Sequence, residues 1–154
     1  MDLGDLIKPE GVIAALPART KKQALQELAE KAAAMTGIDA RTIFDVLVQR
    51  EKLCSTGFVR GIAIPHGRLP QLKRVVAVFA RLEAPIDFEA QDGEPVDLVF
   101  LLLTPEHAGA DHLKALARIS RLARDPLATE KLRGSRDRAS LYSVLTEPMA
   151  SHAA

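Results

Sequence analysis

The spacing of apolar and polar positions changes along the chain, and each change marks an element. Residues 12–16 form a short apolar run closed by Pro17, which predicts a first strand. Thr20 followed by Gln23 has the spacing of a capping box, and Gly37 supplies a stop, so a helix is expected from about 20 to 36. On a helical wheel Ala24, Leu25, Leu28, Ala29, Ala32 and Met35 share one face, while Gln23, Gln26, Glu27, Glu30 and Lys31 take the other. Asp39 caps a second predicted helix over about 40–53. Ile43, Val46, Leu47, Leu53 and Cys54 make its apolar face, with Cys54 read as a small core filler. Arg50 falls inside that arc, where an arginine needs either an anionic partner or a path for its head to reach water.

Ser55, Thr56 and Gly57 break this helix. A short buried strand is expected at 62–64, followed by Pro65, His66 and Gly67. Pro65 restricts Ile64 to extended backbone and has no N–H, and Gly67 permits a turn or a close backbone approach. His66 is therefore expected at a strand end between two conformational specialists. Residues 74–82 read as a strand, 84–94 as a turn region containing Asp92-Gly93, and 96–103 as a central strand covered on both faces. Helices are expected near 111–124, 126–133 and 138–146. The mixture predicts a three-layer α/β/α sandwich around a mixed, partly antiparallel sheet. A single domain over 1–147 with a flexible C-terminal tail over 148–154 is the expected organisation.

Composition narrows the partners. The chain has 154 residues with a formal net charge of +1, lacking the basic excess of a general polyanion binder. Aromatic residues are 4% with no Trp, which argues against a base-stacking surface, so nucleic acid is not an expected partner. One Cys excludes an intrachain disulfide. The apolar stretches 75–80 and 98–103 are too short to span a membrane, and the first residues lack the pattern of a signal peptide. A soluble cytoplasmic protein without membrane insertion is expected.

Four histidines are present: His66, His107, His112 and His152. No metal-ligand spacing joins them, so no metal site is assigned. His152 lies in the expected tail and His107 in a loop. His112 falls on the wheel with Leu116, Ile119, Ser120 and Ala123 facing the sheet, in the first helical turn, where an anion is favoured. Lys114, Arg118, Arg121 and Arg124 read as a solvated face. Neutral imidazole is a good nucleophile near neutral pH. A phosphoryl-accepting histidine needs one ring nitrogen free, the other held by an acceptor, and cationic or N–H groups facing the transferring oxygens. His66 with Arg50, Arg68, His112 and the backbone around Gly67 fits that requirement. A purely structural strand-end role for His66 remains the alternative.

The run from Arg50 through Gly57, followed by 61–67 (Gly-Ile-Ala-Ile-Pro-His-Gly), resembles the phosphohistidine signature of phosphotransferase-system enzyme IIA domains of the mannitol/fructose type, in particular their nitrogen-regulatory branch. The likeness extends over residues 3–147. The resemblance implies that His66 accepts a phosphoryl group on Nε2, that His112 supports the phosphorylated state, and that Arg50 lies near the pocket. It implies that Ser55, Thr56 and Gly57 border the site, with Gly67 and Arg68 as further phosphate-binding or border residues. No cofactor is implied. The implied donor is a histidine phosphocarrier protein of the nitrogen branch, charged from phosphoenolpyruvate by an enzyme-I-like protein. Implied targets include potassium transport and sensor kinases. The alternative is a sugar-specific IIA component that passes phosphate to a IIB cysteine. Phe58 and Arg60 depart from the pattern, and Arg68 replaces a common lysine while keeping its charge.

Overall fold

The computed structural model describes residues 2–58 and 60–147. The expected tail at 148–154, with His152, lies outside them. A short helix α1 (Leu3–Leu6) leads into β1 (Ile7–Leu16), α2 (Lys21–Thr36) and α3 (Ala40–Leu53). Two short strands follow, β2 (Ile62–Ala63) and β3 (His66–Leu69), then the long strands β4 (Val76–Ile86) and β5 (Val96–Pro105). Helices α4 (Ala110–Ala123), α5 (Pro126–Gly134) and α6 (Arg138–Leu145) complete the order.

The sheet runs β1-β4-β5, with β2 and β3 both on the far side of β5. The β4–β5 pair is antiparallel and the others are parallel, so the sheet is mixed, as expected. Alternation along β5 divides the interior. Val99, Leu101 and Leu103 pack with residues of α2 and α3, while Leu98, Phe100 and Leu102 pack with residues of α1, α4, α5 and α6. Both faces are covered, which makes the α/β/α layering and explains the apolar run 98–103 within β5.

Several boundaries moved. β1 begins at Ile7, not at residue 12. Lys8, Pro9 and Glu10 are exposed and disguise the alternation, and the register is irregular between Ile7 and Val12. A proline is tolerated there because β1 pairs only with β4, at the sheet edge. β4 continues to Ile86 through exposed Glu83, Ala84 and Pro85, across a second irregularity. The cap of α2 is half a capping box. Thr20 Oγ1 accepts from Gln23 N–H at 3.1 Å, but Gln23 Oε1 accepts from Arg19 N–H at 2.9 Å instead of from Thr20. Gly37, at φ +78°, closes the helix.

The end of α3 differs more. Leu53 is 81% exposed and Cys54 is exposed, so neither joins the core. The backbone leaves the helical path at Cys54, which is extended, and the wheel stops applying there. Ile43 and Leu47 are the buried anchors of the helix.

Candidate functional site

The site starts from a broken strand. Ile62 pairs with Leu98 and Ala63 with Val99; after the interruption His66 pairs with Leu102 in the same register. Pro65 cannot donate, but its carbonyl accepts from Leu102 N–H at 2.9 Å, so the path stays docked on β5 across the break. His66 therefore opens a second short strand instead of closing the first. Gly67 is explained by packing. A Cβ there would lie 2.5 Å from Val46 Cγ1, so its absence lets α3 lie against β3. That approach brings Arg50, one turn beyond Val46, to the histidine.

His66 is half-buried, and both ring nitrogens are engaged. Nδ1 lies 2.7 Å from the Ile64 carbonyl oxygen. A carbonyl only accepts, so the ring proton of neutral His66 sits on Nδ1 and Nε2 keeps its lone pair. Arg50 Nε–H donates to that Nε2 at 3.3 Å, and Arg50 Nη1–H donates to the Cys54 carbonyl at 3.0 Å. Of the two expectations for Arg50, an anionic partner or a path to water, the structure shows a partly exposed guanidinium held by two neutral acceptors, so its charge is not neutralised by either of them. Burial lowers the His66 pKa most, and the Arg50 charge lowers it further; the Ile64 carbonyl and Glu51 oppose both. The net direction favours the neutral, nucleophilic ring.

His112, in the first turn of α4, is 7% exposed. Its ring meets that of His66 edge-on, with centroids 5.7 Å apart. Its Nδ1 lies 2.7 Å from Thr104 Oγ1 at the end of β5. Burial lowers its pKa, with smaller contributions from the charges of Arg68 and His66. Arg68 is exposed two residues beyond His66 on β3, and its Nη1–H donates to the Glu106 carbonyl at 3.2 Å. His107 is exposed in the turn before α4.

Ser55, Thr56 and Gly57 act one step away from the histidine. Ser55 Oγ donates to the Phe88 carbonyl at 2.8 Å and accepts from Gly57 N–H at 3.0 Å. Thr56 O accepts from Ile64 N–H at 3.0 Å, holding the residue whose own carbonyl orients His66. Gly57 bridges Ala63, and a Cβ on it would lie 2.7 Å from Ala90. Of the two departures, Phe58 lies under the Arg124 guanidinium at 5.2 Å. Arg60 sits at φ +55° with its N–H on Asp92 Oδ2 at 3.0 Å.

The family described as phosphoenolpyruvate-dependent sugar phosphotransferase system, EIIA 2, matches residues 5–147. The chain belongs to this family. It is a phosphotransfer component of the EIIA type. It is 60% identical to a nitrogen regulatory protein of Bradyrhizobium diazoefficiens, over 99% of this chain and 100% of that one. It is 39% identical to a nitrogen regulatory protein of Pseudomonas aeruginosa, over 94% and 95%. The crystal structure of nitrogen regulatory protein IIA-Ntr from Neisseria meningitidis superimposes with a TM-score of 0.88 at 30% identity, covering 94% of this chain and 99% of that one. Among the described residues, no helix of this EIIA chain is long and apolar enough to cross a membrane.

Two polar supports of the EIIA site escaped the sequence reading. Glu51 accepts from Thr56 N–H at 3.0 Å and from Thr56 Oγ1–H, and pairs with Lys21 Nζ at 2.9 Å. Its side chain is only 5% exposed. The available signal was an acid in the last turn of a helix, where the dipole disfavours it and a specific partner is required. The second support is Thr104, fully buried at the end of an apolar strand. A buried hydroxyl demands a partner, but nothing in the linear sequence names His112 as that partner.

Proposed function

We propose that this EIIA protein is a regulatory phosphocarrier of a nitrogen-type phosphotransferase system. It accepts a phosphoryl group on His66 from a histidine phosphocarrier protein of that branch, which an enzyme-I-like protein charges from phosphoenolpyruvate. The observation that carries this reading is the commitment of His66 Nδ1 to the Ile64 carbonyl, with Nε2 unprotonated beside the Arg50 guanidinium. The names of the two curated relatives support the nitrogen branch.

In the transfer, the Nε2 lone pair forms the new N–P bond as the donor's P–N bond breaks, returning its electron pair to the donor imidazole. The ring proton stays on His66 Nδ1, donated to the Ile64 carbonyl. The Arg50 N–H that faced the lone pair then turns to a phosphoryl oxygen, joined by Arg68 and His112. The added negative charge changes which target surfaces the protein fits, with potassium transporters and sensor kinases as the target classes in view.

The test is labelling with phosphoenolpyruvate, enzyme I and the carrier protein, read as acid-labile phosphate. The wild type and His107→Ala take up label, and His66→Ala takes up none. Label that persists in His66→Ala, or no label with any competent donor, overturns the proposal. Onward transfer to a sugar-specific IIB cysteine assigns the protein to sugar transport instead.

A further inference from the structure

Thr104 is fully buried where β5 ends, and His112 is 7% exposed beneath the first turn of α4. Oγ1 and Nδ1 are 2.7 Å apart, a short contact for a hydroxyl and a ring nitrogen. Either atom can donate, and the choice decides where the His112 proton resides.

The surroundings of Thr104 decide it. Among the described residues the hydroxyl has one hydrogen-bond partner, His112 Nδ1. If Nδ1–H donated to Oγ1, the buried hydroxyl proton would have no acceptor. If the hydroxyl donates, both buried atoms are satisfied and the ring proton moves to Nε2. Burial and the charge of Arg68 hold the ring towards its neutral form, which leaves Nδ1 free to accept.

We propose that Thr104 is a positioning residue that donates to His112 Nδ1 and so makes Nε2 of that ring a fixed N–H donor for the phosphoryl group carried by His66. The two histidines thereby hold opposite tautomers. His66 keeps its proton on Nδ1 and attacks through Nε2. His112 keeps its proton on Nε2 and offers it to an oxygen. In the opposite tautomer His112 would present a lone pair to a dianionic phosphoryl group and repel it. The catalytic half of this inference rests on the phosphohistidine reading above; the tautomer does not.

Ring-nitrogen NMR of the uniformly ¹⁵N-labelled full chain reads the tautomers directly. His112 is expected with a protonated Nε2 and His66 with a protonated Nδ1. Thr104→Val, which keeps the shape and removes the hydroxyl, should convert His112 to a tautomer mixture. It should also slow phosphoryl transfer about 10-fold with little change in the donor concentration needed for half-maximal rate. Thr104→Ser should restore both. A wild-type His112 protonated on Nδ1, or an unchanged tautomer and rate in Thr104→Val, overturns the inference. If Thr104→Val does not fold, the wild-type spectrum and the serine variant still decide it. Absence of any label on wild-type His66 defeats the phosphohistidine reading and the catalytic half with it, while the spectrum still answers for the Thr104–His112 bond.

Discussion

His66 and His112 stand with ring centroids 5.7 Å apart and are held in unlike ways. His66 sits at the start of β3 and leans on a main-chain carbonyl two residues back, a partner that no substitution removes. His112 sits on α4 and leans on a side-chain hydroxyl from a different layer. The first anchor is local and is secured by the break at Pro65 and by Thr56, which holds Ile64. The second exists only because α4 docks over the end of β5. An arrangement of this kind fixes the orientation of the His66 ring with backbone and leaves that of His112 open to adjustment by one residue.

The variants that probe this contrast differ in size. Arg50→Ala removes the guanidinium beside His66 Nε2 and should slow phosphorylation about 100-fold. Circular dichroism and thermal midpoint should be nearly unchanged, because the bonds lost go to a ring nitrogen and to a carbonyl at the helix end. An equal loss of fold and transfer would reassign Arg50 to packing.

Glu51→Gln leaves Lys21 partly uncompensated, since Glu89 lies 3.5 Å from the same ammonium. About 2 kcal/mol of stability should be lost in denaturant unfolding. The NMR signals of His66 should shift and those of His112 should not. Movement of both rings together would show that the two anchors are not separate.

Gly67→Ala drives a methyl into Val46 and pushes α3, with Arg50, away from β3. The expected cost is about 1 kcal/mol, largely recovered in the double variant with Val46→Ala. Failure of that rescue would mean that the glycine serves something other than helix approach.

The smallest effect is in pH. Burial places both rings below the ordinary histidine pKa of about 6.5. The rate of His66 labelling should stay flat as pH falls through that value and decline only below it. In the window between the lowered and ordinary values the unfolded chain binds more protons than the folded one. Stability is therefore full above the ordinary value and falls as pH drops through the window. A rate midpoint at or above the ordinary histidine value would contradict the geometry around Nε2.

Much of this was legible in one dimension. The face of α2, the stops at Thr20 and Gly37, the covered strand β5 and the placement of His112 towards the sheet all follow from period and capping. His66 and Arg50 stood out as candidates because each breaks its local pattern, a histidine between proline and glycine and an arginine on an apolar arc, and the structure brings them within 3.3 Å of each other. Cys54 was misread because helical phase was carried past the residue where the backbone leaves the helix, and Leu53 because it falls at the edge of the apolar arc on the last residue of α3, where it is exposed. The start of β1 was hidden because an edge strand tolerates Lys8, Pro9 and Glu10.

Local order is written in neighbouring residues, since caps, turns and amphipathic period act over a few positions. Partnerships between elements are not. Thr104 and His112 are eight residues apart and meet only when α4 docks over the end of β5; Lys21 and Glu51 are thirty apart and meet only when α2 packs beside α3. Burial then makes every polar atom find a partner, and that requirement arises only after water has been excluded. The chain's order is enough to say which residues are able to react; packing chooses which nitrogen holds the proton.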